Sequence, residues 1–166
     1  MKTFLLSCLL YLFATIASYS QCMQYDIPLA KRVGGASAIV EGKIVSQKCF
    51  PAGRNGMIYT RSTIEVYKIF KGLSASSLNT IDIVTQGGTY QNERVSVSPA
   101  IDLSIGQTGL FFLQEHTNND DFIGFEPYSW QQCFVQYDEQ AGTASDVFTP
   151  YPSAKYLYNA INGQLG

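Results

Sequence analysis

The sequence predicts a mostly β domain in which five or six short strands form a small closed or partly open barrel, or a sandwich, followed by a short C-terminal helix. Apolar and polar residues alternate in several segments that Gly, Pro and Asn turn signals separate. Aromatic residues make up 13% of the chain and charged residues only 14%, a composition that suits half-buried strands. One segment near the end of the chain carries helix signals instead.

The longest predicted strand covers residues 58–70. Ile64 and Val66 fall on one face and Glu65 and Tyr67 on the other, the period of two that a strand with one buried face requires. Further strands are predicted at residues 37–45, 80–85, 94–98, 109–114 and 133–138, and a polar turn at 118–121 separates the strand at 109–114 from residues 122–125.

Three features refine these strands. Gly42 indicates a bulge or tight bend within residues 37–45. The run at 109–114 is continuously apolar, which indicates burial on both faces. Residues 49–56 contain Pro51 and three further turn-forming residues, and we expect a turn there.

The predicted helix covers residues 153–161. Ser153 can cap its first turn, Pro152 precedes it and Gly163 follows it.

Residues 1–20 predict a removable secretory signal. Lys2 supplies a positive charge, residues 4–17 are almost entirely apolar, and Ser18 and Ser20 offer small side chains at the two positions that cleavage requires. A transmembrane anchor is the rival interpretation, but it needs about 20 apolar residues. Lipidation at Cys22 or Cys8 is a minor alternative, since Gln21 is too large before Cys22 and the apolar stretch before Cys8 is short.

After cleavage we expect an N-terminal extension at residues 21–36 and one domain at 37–166. Removing 20 of 166 residues leaves 146, a length typical of one domain. The signal contains one of the 11 basic residues and none of the 13 acidic ones, so the mature net charge is −3. This charge argues against a nucleic-acid partner. We expect a secreted, periplasmic or cell-surface location, with no stable membrane insertion.

Three cysteines remain in the mature chain: Cys22, Cys49 and Cys133. An odd number in an oxidising compartment indicates one disulfide and one free thiol. We favour a Cys49–Cys133 bridge, because each residue lies in a strand-like segment and precedes a Phe. A Cys22–Cys133 bridge is the competing pairing.

Four segments in order resemble the netrin-like, tissue-inhibitor-of-metalloproteinases family. They are IVEGKIVS at 39–46, IEVYKIFKG at 64–72, IDI at 81–83 and the Gly-led apolar stretch at 106–113. The same order is similar to amino-terminal domains of large secreted bacterial proteins. The resemblance covers roughly residues 37–138 and implies an OB-like barrel.

The predicted mature start departs from that family. The animal inhibitors begin with a Cys-x-Cys motif whose first residue grips a protease's catalytic zinc. Here Gln21 would be the first residue, Cys22 the second, and Gln24 stands where the second Cys would fall. The resemblance therefore implies a fold but not metal-gripping inhibition.

The sequence offers no catalytic, cofactor-binding or metal-binding residues that we would assign. His116 is the only His and follows a predicted strand, so we expect a solvated loop residue. No cysteine pair has zinc spacing, and no Gly-x-Ser-x-Gly elbow is present. Residues 118–121 (NNDD) could bind calcium but lack EF-hand spacing, which favours a plain turn.

Phe125, Tyr128 and Trp130 form the candidate binding surface. They lie in a loop-like segment, where exposed aromatic side chains could stack on a sugar or on a partner's side chain. The simpler alternative is that they cover one end of the barrel.

We therefore predict an exported non-enzymatic module that contacts a protein or a glycan through loops at the barrel rim, or that serves beside a catalytic domain. A metalloprotease inhibitor of netrin-like type and a small secreted hydrolase with an unrecognised site are the two alternatives.

Overall fold

A computed structural model of the chain describes residues 25–53, 56–73, 79–116 and 124–166. The predicted signal at 1–20, Cys22 and the Asn-Asp turn at 118–121 lie outside these residues. The helices are α1 (Leu29–Gly35), a 3₁₀ turn (Trp130–Cys133) and α2 (Ala154–Leu165). The strands are β1 (Ala38–Ala52), β2 (Met57–Lys71), β3 (Thr80–Gln86), β4 (Gly88–Tyr90), β5 (Glu93–Val95), β6 (Thr108–Glu115), β7 (Phe125–Pro127), β8 (Phe134–Asp138), β9 (Thr143–Ser145) and β10 (Pro150–Tyr151).

Five of the strands form a ring of hydrogen-bonded neighbours. Its order is β1-β2-β3-β7-β6, and β1 returns to pair with β6. Strands β8, β9 and β10 continue the sheet from β6, and β4 and β5 form a separate hairpin. The ring is joined between β3 and β7 by a single parallel pair, Ile83 with Phe125, whereas β1 and β6 pair over six residues.

The predicted class, mostly β with a short C-terminal helix, is confirmed. The predicted number of strands is wrong, since the main sheet has eight strands and the hairpin adds two. The additional strands β4, β7, β9 and β10 have only two or three residues each. A segment of that length shows no recognisable alternation, so its pairing with a neighbour, not its own pattern, makes it a strand.

Strands β1 and β2 form a long antiparallel ladder that extends further than predicted. Cys49, Phe50 and Pro51 pair with residues of β2, so the predicted turn at 49–56 is wrong over its first four residues. The expected irregularity at Gly42 is confirmed by a register shift between Glu41 and Gly42. A Cβ at Gly42 would lie 2.3 Å from the Glu65 carbonyl oxygen, so only glycine permits this approach of the two strands.

Strand β6 contributes to two apolar clusters, as its continuous apolar sequence predicts. Phe111 and Leu113 pack inside the ring with Ile44, Ile64 and Ile83. On the opposite face, a second cluster contains Leu110 and Phe112 of the same strand. All four β6 side chains are fully buried. Burial of one such side chain stabilises the fold by about 1.5–3 kcal/mol.

The two α-helices cover this second cluster from outside the ring. Leu157 and Ile161 of α2 and Val33 of α1 supply its helical side chains. Residues 29–36, within the segment expected to be an extension, thus contribute to the core. The Ser153 hydroxyl accepts a hydrogen bond from the Tyr156 amide, which confirms the predicted cap. The helix continues through Gly163 instead of ending before it.

Helix α1 has weak sequence signals and depends on distant residues. Its first turn has no side-chain cap, and it ends on two glycines. The Lys71 ammonium donates to the carbonyl oxygens of Val33 and Gly34 at 2.8 and 2.9 Å. A cation at a helix C-terminus satisfies its free carbonyls and complements the helix dipole. The end of β2 therefore completes α1.

A buried ion pair ties α1 to the β9–β10 turn. The Arg32 and Asp146 side chains are 1% and 0% exposed and lie 2.8 Å apart. Arg32 also donates to the Tyr151 hydroxyl at 2.7 Å and to the Gln132 carbonyl oxygen at 2.9 Å. Asp146 accepts from the Phe148 and Thr149 amides as well. These bonds compensate part of the cost of removing two charges from water.

Gln132 in the 3₁₀ turn holds the chain that precedes α1. Its side-chain oxygen accepts from the Ile27 amide at 2.7 Å, and its side-chain nitrogen donates to the Tyr25 carbonyl oxygen at 2.9 Å. The Gln132 side chain thus makes one accepted and one donated hydrogen bond to this backbone, as a neighbouring strand would, and it holds the N-terminal segment against the sheet.

Among the residues that the structure describes, no helix combines the length and the apolar character needed to cross a membrane.

Candidate functional site

One polar concavity in the described structure lies beside β8 and has a volume of about 280 Å³. We call it the amide cleft, because three of its lining side chains are glutamines. Segment 101–107, the 3₁₀ turn, β8 and the β9–β10 turn form its walls. Its polar side chains are Asp102, Gln107, Gln131, Gln136, Ser145 and Asp146, and its apolar ones are Ile101, Phe134 and Val147.

Hydrogen bonds position the three glutamines and leave part of each exposed amide for other partners. Gln107 accepts from the Ser104 amide at 2.8 Å and donates to the Gln136 side-chain oxygen at 3.3 Å. Gln131 donates to the Ala100 carbonyl oxygen at 3.3 Å. Gln136 thus has an amide nitrogen that can donate, and Gln131 an amide oxygen that can accept.

Asp146 is the fixed point of the amide cleft. Its Oδ2 pairs with Arg32 and accepts from the Tyr151 hydroxyl at 3.1 Å. Burial raises the pKa of that Tyr151 hydroxyl, so it stays a donor. The Asp146 charge is therefore compensated from behind, and this part of the wall is preorganised.

A second concavity of about 230 Å³ lies on the other side of segment 100–103. We call it the hydroxyl cleft, because Thr60, Thr85, Thr89 and Ser96 line it. Gln47, Gln86, Arg94 and Asp102 add further polar side chains. Ile101 and Asp102 line both clefts, so these two residues form a shared wall.

Gln47 anchors this shared wall to the ring. Its side-chain nitrogen donates to the Leu103 carbonyl oxygen at 2.7 Å and to the Ser62 hydroxyl at 3.0 Å. Leu103 itself packs in the cluster inside the ring. Leu103, which follows the shared wall, is therefore held both by its buried side chain and by the hydrogen bond to its carbonyl oxygen.

The predicted aromatic surface is not one exposed patch. Phe125 packs against the cluster inside the ring, and Tyr128 packs against the outer cluster. The Tyr128 hydroxyl lies 1.9 Å from where a Cβ of Gly35 would stand, so this ring fills a gap beside α1. Only Trp130 is strongly exposed, at 54%. Two of the three residues are therefore partly structural, because they pack against the two apolar clusters.

Trp130 lies in unusual backbone. Its φ is 54° and that of Ser129 is 70°, so two successive residues other than glycine adopt the left-handed region. Such residues cost of order 1–3 kcal/mol and concentrate at functional sites. The next residue, Gln131, lines the amide cleft.

The expected Cys49–Cys133 bridge is not formed in the described structure, where both residues are free thiols. Cys133 is fully buried in the cluster inside the ring, and burial raises the pKa of its thiol. Cys49 lies on the β1–β2 ladder, with its sulfur 3.4 Å from the Thr60 hydroxyl. A shared strand-like sequence pattern did not bring these two positions together.

His116 is not the solvated loop residue that its sequence context predicts. Its side chain is 3% exposed, and its Nδ1 lies 3.2 Å from a Glu126 carboxylate oxygen. The other Glu126 oxygen accepts from Gln114 at 2.7 Å. Pairing of β6 with β7 brings these residues together. His116 lines neither the amide cleft nor the hydroxyl cleft.

Within the described ranges, no group of three or more His, Cys, Asp or Glu residues is placed to hold a metal ion. Comparison of the chain with protein-family models, curated proteins and solved structures found no match in any of the three.

Sequence reasoning missed the glutamines. Each lies in a different segment, and of the three only Gln131 adjoins an exposed aromatic residue, in the run Trp130-Gln131-Gln132. That run is the one local signal that could have indicated the cleft.

Proposed function

We propose that this chain is an exported, non-enzymatic module that binds a protein or a glycan through loops at one rim of an OB-like barrel. The ring of five strands supports the barrel, and the family resemblance adds the order of its motifs. The apolar segment at 4–17 with its cleavage site supports export.

One observation carries the binding function. Trp130 is exposed, lies in strained backbone and adjoins a cleft whose glutamine amides keep unused hydrogen-bond donors and acceptors. An exposed Trp on a soluble chain is a frequent anchor for a partner, because its ring offers a large contact area at low entropic cost. The positioned glutamines beside it can make directional bonds and so select the partner.

The test uses the mature chain, residues 21–166, applied to a glycan array and to immobilised cell-envelope proteins. We expect a bound partner, and we expect Trp130→Ala to weaken its binding about tenfold or more, a loss typical of an interface anchor. Tyr156→Ala is the matched control, since Tyr156 is 53% exposed on α2 and lines neither cleft.

Equal binding by the Trp130 and Tyr156 variants would overturn the proposal. Catalytic turnover that Glu126→Gln abolishes would replace it with a hydrolase, because His116 and Glu126 are in contact. Stoichiometric inhibition of a metalloprotease would replace it with an inhibitor.

A further inference from the structure

We infer that the ligand is a neutral oligosaccharide that occupies the amide cleft and the hydroxyl cleft together, across the wall formed by Ile101 and Asp102. This inference rests on the proposed binding function and names its ligand class.

Charge argues for a neutral ligand. No Lys or Arg lines the amide cleft, and of its two acidic residues Asp102 is exposed whereas the Asp146 side chain is 0% exposed. Arg32 compensates the charge of Asp146 from the buried side. The hydroxyl cleft has one cation, Arg94, with Asp102 on the shared wall. Neither cleft therefore offers the excess positive charge that a uronic or sulfated glycan would require.

Hydrogen-bonding capacity argues for a polyhydroxylated ligand. A sugar hydroxyl both donates and accepts, so it is best matched by a mixed set of donors and acceptors. The amide cleft provides the Gln136 nitrogen as a donor, the Gln131 oxygen as an acceptor and the Ser145 hydroxyl as both. The hydroxyl cleft adds Thr89 and Ser96.

The same surfaces are poorly suited to a peptide. Peptides are recognised through a free strand edge or through apolar pockets that receive alternate side chains. Polar side chains predominate in both clefts, and the largest apolar one, Phe134, is itself buried, stacked 4.6 Å from the Phe111 ring. Neither cleft is therefore a predominantly apolar pocket of the kind that receives a peptide side chain.

Size argues for a ligand that spans both clefts. Small-molecule pockets typically have volumes of about 300–1,000 Å³. The clefts have about 280 and 230 Å³, so each falls below that range alone and the two together reach it. A linear chain of sugars can cross the shared wall and place units on both sides.

Calorimetric titration of the mature chain with linear neutral oligosaccharides of one to six units tests this inference. The probes are glucose oligomers with β1,4 and α1,4 linkages and N-acetylglucosamine oligomers, with oligogalacturonate as the anionic comparison. We expect affinity to rise about tenfold or more between one and four units of one neutral series, as contacts form in the second cleft.

Two variants address the clefts separately. Gln136→Ala removes an amide from the amide cleft, and Thr89→Val removes a hydroxyl from the hydroxyl cleft while keeping its shape. Each should weaken hexamer binding by about threefold to tenfold, the effect of one hydrogen bond. Gln140→Ala and Thr143→Val are the matched controls, because these exposed residues line neither cleft and should leave binding unchanged.

The outcomes separate this inference from the proposed function. Affinity independent of length, sensitivity to only one cleft variant, or preference for oligogalacturonate would overturn the inference. Protein binding that depends on Trp130, without binding of any neutral series, would overturn it and leave the proposed function standing. If the chain binds neither class, both fall.

Discussion

The helix-covered side of the sheet and the cleft side use polar residues in opposite ways. Behind the sheet, Arg32 and Gln132 are fully buried and their bonds join α1 to distant segments. In the amide cleft, Gln131 and Gln136 each make one side-chain hydrogen bond in the described structure, which leaves the Gln131 oxygen and the Gln136 nitrogen able to bond further. The first group holds the fold together, whereas the second keeps hydrogen-bonding capacity that the fold does not use.

The contrast is sharpest at two neighbouring residues. Gln131 and Gln132 have the same side chain and share the 3₁₀ turn, yet Gln131 lines the amide cleft and Gln132 bonds the backbone before α1. Residue type therefore does not distinguish a residue that lines the cleft from a structural one. The two glutamines differ because the 3₁₀ turn directs their side chains to different parts of the molecule.

The largest effect is expected from Arg32→Met. It leaves the Asp146 carboxylate buried without its cation, so we expect the free energy of unfolding to fall by about 3–5 kcal/mol in urea denaturation. Arg61→Met is the matched control, because the Arg61–Asp82 pair is 39% exposed on both sides and 3.8 Å apart. It should cost less than about 1 kcal/mol. Similar losses in both variants would contradict the assignment of Arg32 to the structural side.

A smaller effect is expected from Gln132→Ala, which leaves the Ile27 amide and the Tyr25 carbonyl without their partner. We expect a loss of about 1–3 kcal/mol, measured by the same denaturation. Gln131→Ala should change stability by less than about 0.5 kcal/mol. If the two alanine variants were equally stable, the claim that Gln132 stabilises the fold more than Gln131 would be wrong.

Alkaline pH tests the outer face of β1 and α2. The Tyr158 hydroxyl donates a hydrogen bond to Glu41 at 2.6 Å. Burial, and then this hydrogen bond, raises the pKa of Tyr158 to about 12. Above pH 10 the unfolded chain loses this proton while the native state keeps it, so stability falls as pH rises to 12. Tyr158→Phe should make that fall shallower.

The measurement is the urea midpoint between pH 8 and 12. Part of the fall should remain in the Tyr158 variant, because burial also raises the pKa of Tyr137 and Tyr151. Identical slopes for both proteins would show that Tyr158 has the same pKa in the native and unfolded states, and would contradict this prediction.

The smallest effect on stability is expected from Gln136→Ala. The residue is exposed, so its free energy of unfolding should stay within about 0.5 kcal/mol of the native value. A larger loss in thermal or urea denaturation would place Gln136 on the structural side and remove it from the clefts.

The alternating and apolar strands were predictable because each carries its own signal. Strands β1, β2, β3, β6 and β8 all overlap predicted segments, and Ser153 caps α2 as expected. Helix α1 was missed because its stability comes from Lys71 and Arg32 contacts, which no local pattern encodes. Pro51 indicated a turn, but the ladder with β2 continued past it.

The clefts were not predictable for a related reason. The walls of the amide cleft come from segments 101–107, 131–136 and 145–147, which are adjacent only after β6, β8 and β9 pair. Trp130 was identified from its aromatic character, whereas Phe125 and Tyr128 share that character and pack on the core. Composition indicates which residues can bind, and packing decides which of them are free to do so.

The far end of the main sheet has a consequence for how these molecules behave together. Strand β10 consists of Pro150 and Tyr151 alone, and proline has no amide hydrogen to offer. Sheet margins that are long and flat recruit strands from other molecules and start aggregation. A two-residue margin that begins with proline is a poor template, so concentrated protein should resist edge-to-edge association at this point.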